Sequence, residues 1–302
     1  FLLLLKMIQE LNGSFVALVT PMESDGAIDY ASLDRLIDWH IDQGTNGIVS
    51  VGTTGESATV SLSEHIDLIQ HTVKHVNKRV PVIAGTGANS TLEAIELTKE
   101  AERIGADFAL IVTPYYNKPS QNGLIQHYTK IADSSNIPQI LYNVPSRTSC
   151  DLIPQTVNVL SEHKNIIGIK EAVNDKKRIN DLIKISLDNQ DFKILSGDDP
   201  SFYEFLKCGG HGVISVAANV IPESISKICS YTSNGDEAGA KILNDRYINL
   251  YEMLFFESNP IPVKWMLNKM GFIKNSLRLP LIELDKKYHE SISAEMLKLG
   301  LI

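Results

Sequence analysis

Strand-like apolar runs alternate with helical or polar stretches along most of this chain. Eight such runs occur: FVALVTP (15–21), GIVSVG (from Gly47), VPVIAGTG (from Val80), FALIVTPYY (from Phe108), PQILYNV (from Pro138), IIGIKEA (166–172), FKILSGDD (from Phe192) and GVISVAANV (from Gly212). A doubly wound α/β sheet more often stops at about five or six strands. The alternation therefore predicts a closed, parallel (β/α)8 TIM barrel.

The two ends of the chain do not follow this alternation. After about residue 230, the stretches EAGAKILNDRYINLYEMLF and PIPVKWMLNKM have helical periodicity, which predicts a C-terminal helical domain packed on the barrel. At the start, FLLLLK is too short for a signal-peptide core or a bilayer span, and Met7 follows it, so residues 1–6 are predicted to be either an upstream extension or residues added to the natural chain. The expected organisation is an N-terminal extension over 1–12, a catalytic barrel over 13–230 and a helical domain over 231–302.

Composition excludes several classes of function. The 302 residues contain 28 Lys plus Arg against 36 Asp plus Glu, without a long basic run, so neither nucleic acid nor a membrane is an expected partner. The cysteines Cys150, Cys208 and Cys229 show no C-x-x-C spacing, which favours a reducing, cytoplasmic location over a disulfide or zinc framework. Asp198 and Asp199 lack further ligands at useful spacing, so no metal site is predicted.

The sixth apolar run ends in a lysine, Lys170. The isoleucines before it are typical of a strand buried on both faces, so its amine is expected to leave that strand into a poorly solvated place. Such surroundings favour the neutral amine, which attacks carbonyl carbons to form a Schiff base. Tyr142 ends the neighbouring run, and its phenol is placed to pass protons while the imine forms and breaks. The competing interpretation is a lysine that extends to solvent or pairs with Glu171.

Other runs end in hydroxyl and charged side chains, which a barrel brings to one face. GTTGES places Thr53 and Thr54 in a glycine-flanked turn whose N–H groups and hydroxyls suit a small carboxylate, the alternative being a plain turn and helix cap. Arg147 in YNVPSRT suits a second carboxylate through its planar fork, unless it faces solvent. Together these residues predict a pocket for small acids.

Six motifs carry a resemblance to a known family. GTTGES, PYYNKP, YNVPSRT, GIKEA, LSGDD and GVISV occur in the order, and at roughly the spacing, found in the dihydrodipicolinate synthase family, from about Gly13 to the C-terminal helices. The resemblance implies a class I aldolase-type lyase that condenses pyruvate with L-aspartate 4-semialdehyde in diaminopimelate and lysine biosynthesis. It implies no cofactor, and it implies a homotetramer built from two tight dimers.

The resemblance also assigns catalytic roles. Lys170 corresponds to the lysine that forms the Schiff base with pyruvate, and Tyr142 to the proton donor and acceptor. Thr53 corresponds to the hydroxyl that relays the proton of Tyr142. Tyr116 corresponds to the last member of the relay, which the neighbouring subunit supplies.

Substrate-binding positions follow from the same resemblance. Thr54 and the backbone of Ile214 resemble the pyruvate contacts, Gly197 is a further substrate-binding position, and Arg147 matches the arginine that holds the semialdehyde carboxylate. Another pyruvate-dependent aldolase, such as N-acetylneuraminate lyase or a sugar-acid aldolase, shares the lysine and the tyrosine. Sialic-acid lyases lack the arginine and usually carry a serine in place of Thr53. A catalytically silent barrel that binds a small acid would fit a sequence without the lysine or the tyrosine.

A regulatory site for L-lysine is implied as well, at the tight dimer interface. The matching positions are Ser57, Ala58, His65, Asn89, Glu93 and Tyr115. The competing interpretation is that Glu93 caps a helix from Ser90 and that Asn89 shapes the turn before it. Leu62 stands where inhibited enterobacterial relatives have a histidine, so one polar contact is absent. We therefore expect partial, relatively weak inhibition by L-lysine. Its effect on the active site would be transmitted from Tyr115 to the adjoining relay residue Tyr116.

Overall fold

Eight parallel strands close into a barrel in the computed structural model, which describes residues 11–302. They are β1 Gly13–Ala17, β2 Gly47–Ser50, β3 Val82–Gly85, β4 Phe108–Val112, β5 Gln139–Asn143, β6 Ile166–Glu171, β7 Lys193–Ser196 and β8 Gly212–Ser215. Each strand pairs with the next, and β8 pairs with β1. The predicted (β/α)8 barrel is confirmed, although the first strand is Gly13–Ala17 rather than 15–21.

Helices connect the strands and continue beyond the last one. The α-helices are α1 Tyr30–Asp42, α2 Leu62–Val76, α3 Thr91–Ile104, α4 Gln121–Asp133, α5 Pro145–Thr148, α6 Pro154–Leu160, α7 Lys176–Asp188, α8 Phe202–Lys207, α9 Pro222–Ser233, α10 Glu237–Asp245, α11 Ile248–Met253, α12 Ile261–Lys269 and α13 His289–Leu299. Several begin at a side-chain cap, and Ser61 and Glu64 form a complete capping box at the start of α2. Such caps satisfy the free N–H groups of the first helical turn.

The strands are mostly apolar because both of their faces are buried. Side chains that point into the barrel, such as Phe15, Val49, Ile140 and Leu195, form one cluster. Side chains that point outward form a second, larger cluster with the surrounding helices. Leu11, just before β1, is fully buried within the inner cluster. The polar residues at the strand ends are therefore attached to strands that are packed on both faces.

The helical tail is confirmed by α10 to α13, whereas the division into 13–230 and 231–302 stays a prediction. Residues 1–6 of the predicted extension lie outside the described residues. Among the helices of residues 11–302, none combines the length and the apolar character needed to cross a membrane.

Candidate active site

A cavity of about 530 Å³ opens at the carboxyl ends of the strands. Its walls include candidate residues from four different strand ends, which the barrel brings together as predicted. The candidates that line it are Thr53, Thr54, Ser57, His65, Tyr142, Arg147, Lys170 and Gly197. Within residues 11–302, no group of three or more His, Cys, Asp or Glu side chains is arranged to hold a metal ion.

Lys170 and Tyr142 form the centre of this cavity. They are register partners on β6 and β5, and their side chains are only 6% and 7% exposed. The Lys170 amine lies over the tyrosine ring, with Nζ 4.2 Å from the ring centroid. No carboxylate of residues 11–302 forms an ion pair with that amine, so it stands free to attack a carbonyl carbon.

Glu171, next along β6, points away from the cavity into a polar cluster. Its carboxylate accepts hydrogen bonds from Asn143 Nδ2 at 3.1 Å and from the N–H of Val173 at 2.9 Å, and Arg178 lies 3.3 Å away. Burial raises the pKa of Glu171 to about 7. The alternative in which Lys170 pairs with Glu171 is wrong, because alternate residues of a strand face opposite sides.

The GTTGES turn is held in place by contacts with the C-terminal part of the chain, at Asn259 and Lys264. Thr54 Oγ1 accepts a hydrogen bond from Asn259 Nδ2 at 2.9 Å. Two residues on, Glu56 forms an ion pair with Lys264 at 2.5 Å, and both side chains are fully buried. Lys264 Nζ also donates to the carbonyl of Thr20 at 3.0 Å. The turn is therefore part of a rigid wall, which sets the position of its two threonines.

Arg147 lies on α5 in the wall of the cavity. Its Nη2 donates to the main-chain carbonyl of Asn259 at 3.4 Å, so one residue contacts both Arg147 and Thr54. Sequence reasoning missed Asn259 and Lys264. The only signal for them is the run NPIP, which interrupts an otherwise helical stretch.

The remaining substrate-binding candidates differ in placement. Gly197 touches Lys170 directly, because a methyl group in place of its hydrogen would lie 2.9 Å from Lys170 Cε. Ile214 is buried on β8 and does not line the cavity, whereas Val216 does. Asp199, in the SGDD motif, accepts hydrogen bonds from Ser215 Oγ and from two backbone N–H groups, which is a structural role.

Comparison with known proteins gives a consistent result. A model of the "Dihydrodipicolinate synthetase family" matches residues 10–298. This chain belongs to that family. A relative from Stutzerimonas stutzeri named 4-hydroxy-tetrahydrodipicolinate synthase is 53% identical, over 96% of this chain and 99% of its own.

Solved structures agree with the family assignment. A chloride-inhibited dihydrodipicolinate synthase from Acinetobacter baumannii, complexed with pyruvate, has a TM-score of 0.94 and 51% identity, covering 97% of this chain and 100% of its own. A member of the family from Cyanidioschyzon merolae with lysine bound has a TM-score of 0.94 and 35% identity, covering 97% and 99%. The closed barrel with C-terminal helices is thus the fold of this family.

Tyr116, the relay candidate of the family, lies outside the cavity. Its side chain is 90% exposed, and its backbone has a φ of 74°, in the left-handed region that non-glycine residues rarely adopt. It forms no hydrogen bond with the described residues of its own chain. The structure therefore does not bring Tyr116 to Tyr142 within one chain.

The six lysine-site candidates divide into two groups in this chain. Ser57 and His65 line the catalytic cavity, and His65 Nε2 bonds to the carbonyl of Gly85 at 2.6 Å. Asn89, Glu93 and Tyr115 lie together elsewhere, with Asn89 Nδ2 donating to the carbonyl of Tyr115 at 3.3 Å. Burial, with a smaller contribution from Glu93, raises the pKa of Tyr115. Ala58, which lies between Ser57 and His65 in sequence, is exposed and does not line the cavity.

The structure shows only half of the capping interaction that the alternative interpretation of Glu93 requires. Ser90 Oγ accepts a hydrogen bond from the N–H of Glu93 at 3.5 Å. The carboxylate of Glu93 makes no hydrogen bond within residues 11–302, unlike that of Glu64 in the complete capping box of α2. The exposed carboxylate of Glu93 is therefore available to a ligand.

Proposed function

We propose that this chain is a 4-hydroxy-tetrahydrodipicolinate synthase, a lyase that condenses pyruvate with L-aspartate 4-semialdehyde in diaminopimelate and lysine biosynthesis. The observation that carries the proposal is the Lys170 amine over the Tyr142 ring, in a cavity that Arg147 also lines. The relative from Stutzerimonas stutzeri that has this name matches the chain over 99% of its own length. No cofactor is part of the proposed reaction. The protonated imine formed with the protein amine accepts the electron pair that remains when the methyl carbon of pyruvate loses a proton.

The reaction begins with attack of Lys170 Nζ on the ketone of pyruvate. Loss of water gives an imine, and loss of a methyl proton turns it into an enamine, which adds to the aldehyde carbon of the second substrate. Tyr142, whose ring lies against the amine, gives and takes the protons of these steps, and Thr53 passes them on. Attack of the semialdehyde's own amine then closes the ring and frees Lys170.

Two groups are suited to the two carboxylates. Because Thr54 Oγ1 accepts a hydrogen bond from Asn259, its own hydrogen is free to donate to the carboxylate of pyruvate. Arg147 has a planar fork at the cavity wall and suits the carboxylate of the semialdehyde. Gly197 lines the cavity beside Lys170 and belongs to the proposed pyruvate site. Ile214 does not line the cavity, so a contact of its backbone with pyruvate stays a prediction from the resemblance.

Turnover with defined substrates tests this proposal. The protein is expected to consume L-aspartate 4-semialdehyde only when pyruvate is present, and to release no pyruvate from N-acetylneuraminate or from sugar acids. Release of pyruvate from a sugar acid, without use of the semialdehyde, would favour another aldolase of the superfamily. Binding of pyruvate without turnover of any aldehyde would favour a silent binding barrel.

The exposure of Tyr116 supports a second copy of the chain as a partner. We propose that Tyr116 completes the proton relay in the site of a neighbouring subunit, within a homotetramer made of two tight dimers. A side chain that is 90% exposed and that does not line its own cavity is accessible to another chain. Sedimentation velocity tests the assembly: a tetramer is expected, and a monomer with full activity would contradict the proposal.

Partial inhibition by L-lysine is proposed from the exposed group of Asn89, Glu93 and Tyr115. An asparagine, a carboxylate and a tyrosine are suitable partners for an ammonium and a carboxylate, and Tyr115 adjoins Tyr116. Activity should fall partly at millimolar L-lysine, and Glu93→Ala should lose that response. Unchanged wild-type activity over that range would leave the helix cap as the better account of Glu93.

The thiols bear on location. All three cysteines, Cys150, Cys208 and Cys229, are free in the structure. Free thiols are usual in reducing compartments, so we propose a cytoplasmic protein. Fractionation of cells that make the protein, with immunodetection in each fraction, tests this location.

A further inference from the structure

One carboxylate of the cavity has no role in the chemistry described so far. Asp198 lines the cavity directly after Gly197, in the SGDD motif. Its Oδ2 accepts a hydrogen bond from the hydroxyl of Ser201, and the backbone N–H of Ser201 also interacts with this carboxylate. No lysine, arginine or histidine of the described chain forms an ion pair with it. Burial raises the pKa of this carboxyl group.

Two other acids near the site, Asp199 and Glu257, are placed differently. Asp199 is buried and accepts hydrogen bonds from Ser215 Oγ at 2.5 Å and from the N–H groups of Val216 and Ala217 at 3.0 and 2.9 Å. Glu257 also lines the cavity, and its Oε1 accepts a hydrogen bond from the N–H of Asp285 at 3.4 Å. Of the two carboxylates of the described residues that line the cavity, Asp198 is the one that directly follows Gly197, the residue in contact with Lys170.

The second substrate carries a group that requires such a partner. L-Aspartate 4-semialdehyde has an ammonium beside its carboxylate, and a buried charge needs an opposite charge or a hydrogen-bond partner. Arg147 is cationic and suits only the carboxylate. An ammonium is also no nucleophile until it loses a proton, so ring closure requires a base.

Resting on the proposed function, we propose that Asp198 binds the ammonium of the semialdehyde and takes one of its protons before ring closure. The freed amine then forms a bond to the carbon that Lys170 holds as a protonated imine. The bond from that carbon to Lys170 Nζ breaks, and the two protons left on the substrate nitrogen pass to Nζ. Lys170 leaves as an ammonium, the ring contains a neutral imine, and Asp198 returns its proton to water.

Position and charge both support this assignment. A methyl group at Gly197 would lie 2.9 Å from Lys170 Cε, so the backbone just before Asp198 packs against the end of the lysine side chain. The imine carbon lies one bond beyond Lys170 Nζ, and the ring must close at that carbon. With Arg147 on one wall and Asp198 on another, the cavity offers opposite charges to the two charged groups of an amino acid.

Trapping the reaction in progress tests the proposal. Asp198→Asn keeps an acceptor for Ser201 but removes the base, and it should lower kcat at saturating semialdehyde by about 10²-fold. Borohydride added during turnover should then trap mainly the larger adduct on Lys170, made of pyruvate plus semialdehyde, because ring closure no longer keeps pace. Asp188→Asn, at an exposed carboxylate outside the cavity, is the matched control and should behave as wild type in both measurements.

Two results would overturn the assignment. One is an unchanged kcat in Asp198→Asn. The other is a lowered kcat with only the pyruvate adduct trapped, which would place the defect before ring closure. Failure of the proposed function itself looks different, because the wild-type protein would then form no pyruvate adduct or consume no semialdehyde.

Discussion

Gly197→Ala should displace the reactive lysine without unfolding the barrel. An alanine methyl group at this position would lie 2.9 Å from Lys170 Cε, 3.0 Å from Lys170 Cγ and 3.3 Å from Ala172 Cβ, whereas ordinary contacts of this kind measure 3.4–4 Å. The backbone of Gly197 is not in the left-handed region, so alanine fits its conformation. The clash is therefore with the lysine side chain rather than with the fold.

The size of the effect follows from these distances. Lys170 Cε must move by roughly 0.5–1 Å to restore ordinary contact, and a misplacement of about 1 Å at a reacting group costs about 10²-fold in rate. The rate of pyruvate adduct formation should thus fall by about 10- to 10²-fold, which corresponds to about 1.4–2.7 kcal/mol in the barrier. The thermal midpoint should stay within about 4 °C of wild type, because a flexible side chain absorbs the change.

A second glycine of the same cavity provides the control. A methyl group at Gly52 would have Val49 Cγ1 at 3.6 Å as its nearest neighbour, which is an ordinary contact. Borohydride quenching at timed intervals, followed by intact-protein mass spectrometry, gives the adduct rate of each variant. Wild-type rates in Gly197→Ala, or an equal loss in Gly52→Ala, would refute the steric argument.

Three further predictions concern the relay and the interior. Tyr142→Phe should lower kcat by about 10²-fold or more in a steady-state assay, with an unchanged circular dichroism spectrum, because it removes a proton carrier but little packing volume. Mixing Tyr116→Phe with Lys170→Ala subunits should restore activity, since a mixed dimer contains one site with an intact lysine and an intact partner tyrosine. His40 is fully buried, and burial lowers its pKa from 6.5 to about 3, so the unfolded chain binds the proton first and stability falls as pH drops from 6.5 towards 3. His40→Leu should flatten that slope in acid denaturation.

Each of these predictions has a contradicting outcome. Full activity of Tyr142→Phe would remove the tyrosine from proton transfer. No recovery in the mixed Tyr116→Phe and Lys170→Ala sample, after subunit exchange is verified by native mass spectrometry, would mean that Tyr116 acts within its own chain. An unchanged pH dependence of unfolding in His40→Leu would show that another group sets the acid limit.

The fold was predictable because its signal is local. Each strand is a short apolar run bounded by glycine, proline or polar residues, and closure of the barrel follows from the number of runs. The same rule placed Lys170 and Tyr142 side by side, since parallel neighbours bring their carboxyl ends to one face. These inferences need no knowledge of distant contacts.

Other parts of the site depend on contacts that no local pattern encodes. Asn259 reaches Thr54 across 205 positions of sequence, and Lys264 reaches Glu56 across 208. The apolar neighbours of Lys264 on its helix do not indicate that this side chain is fully buried in an ion pair with Glu56. The placement of Tyr116 depends on a second chain in our proposal, so one isolated subunit does not contain the assembled relay.

The position of the pyruvate adduct tests the central claim most directly. The protein is incubated with pyruvate, reduced with borohydride, digested and mapped by tandem mass spectrometry, with Lys170→Ala treated in parallel. We predict a single reduced pyruvate adduct on Lys170 in the wild-type protein and none in the variant. An adduct on another lysine, or a wild-type protein that turns over its substrates without any adduct, would contradict the Schiff-base account.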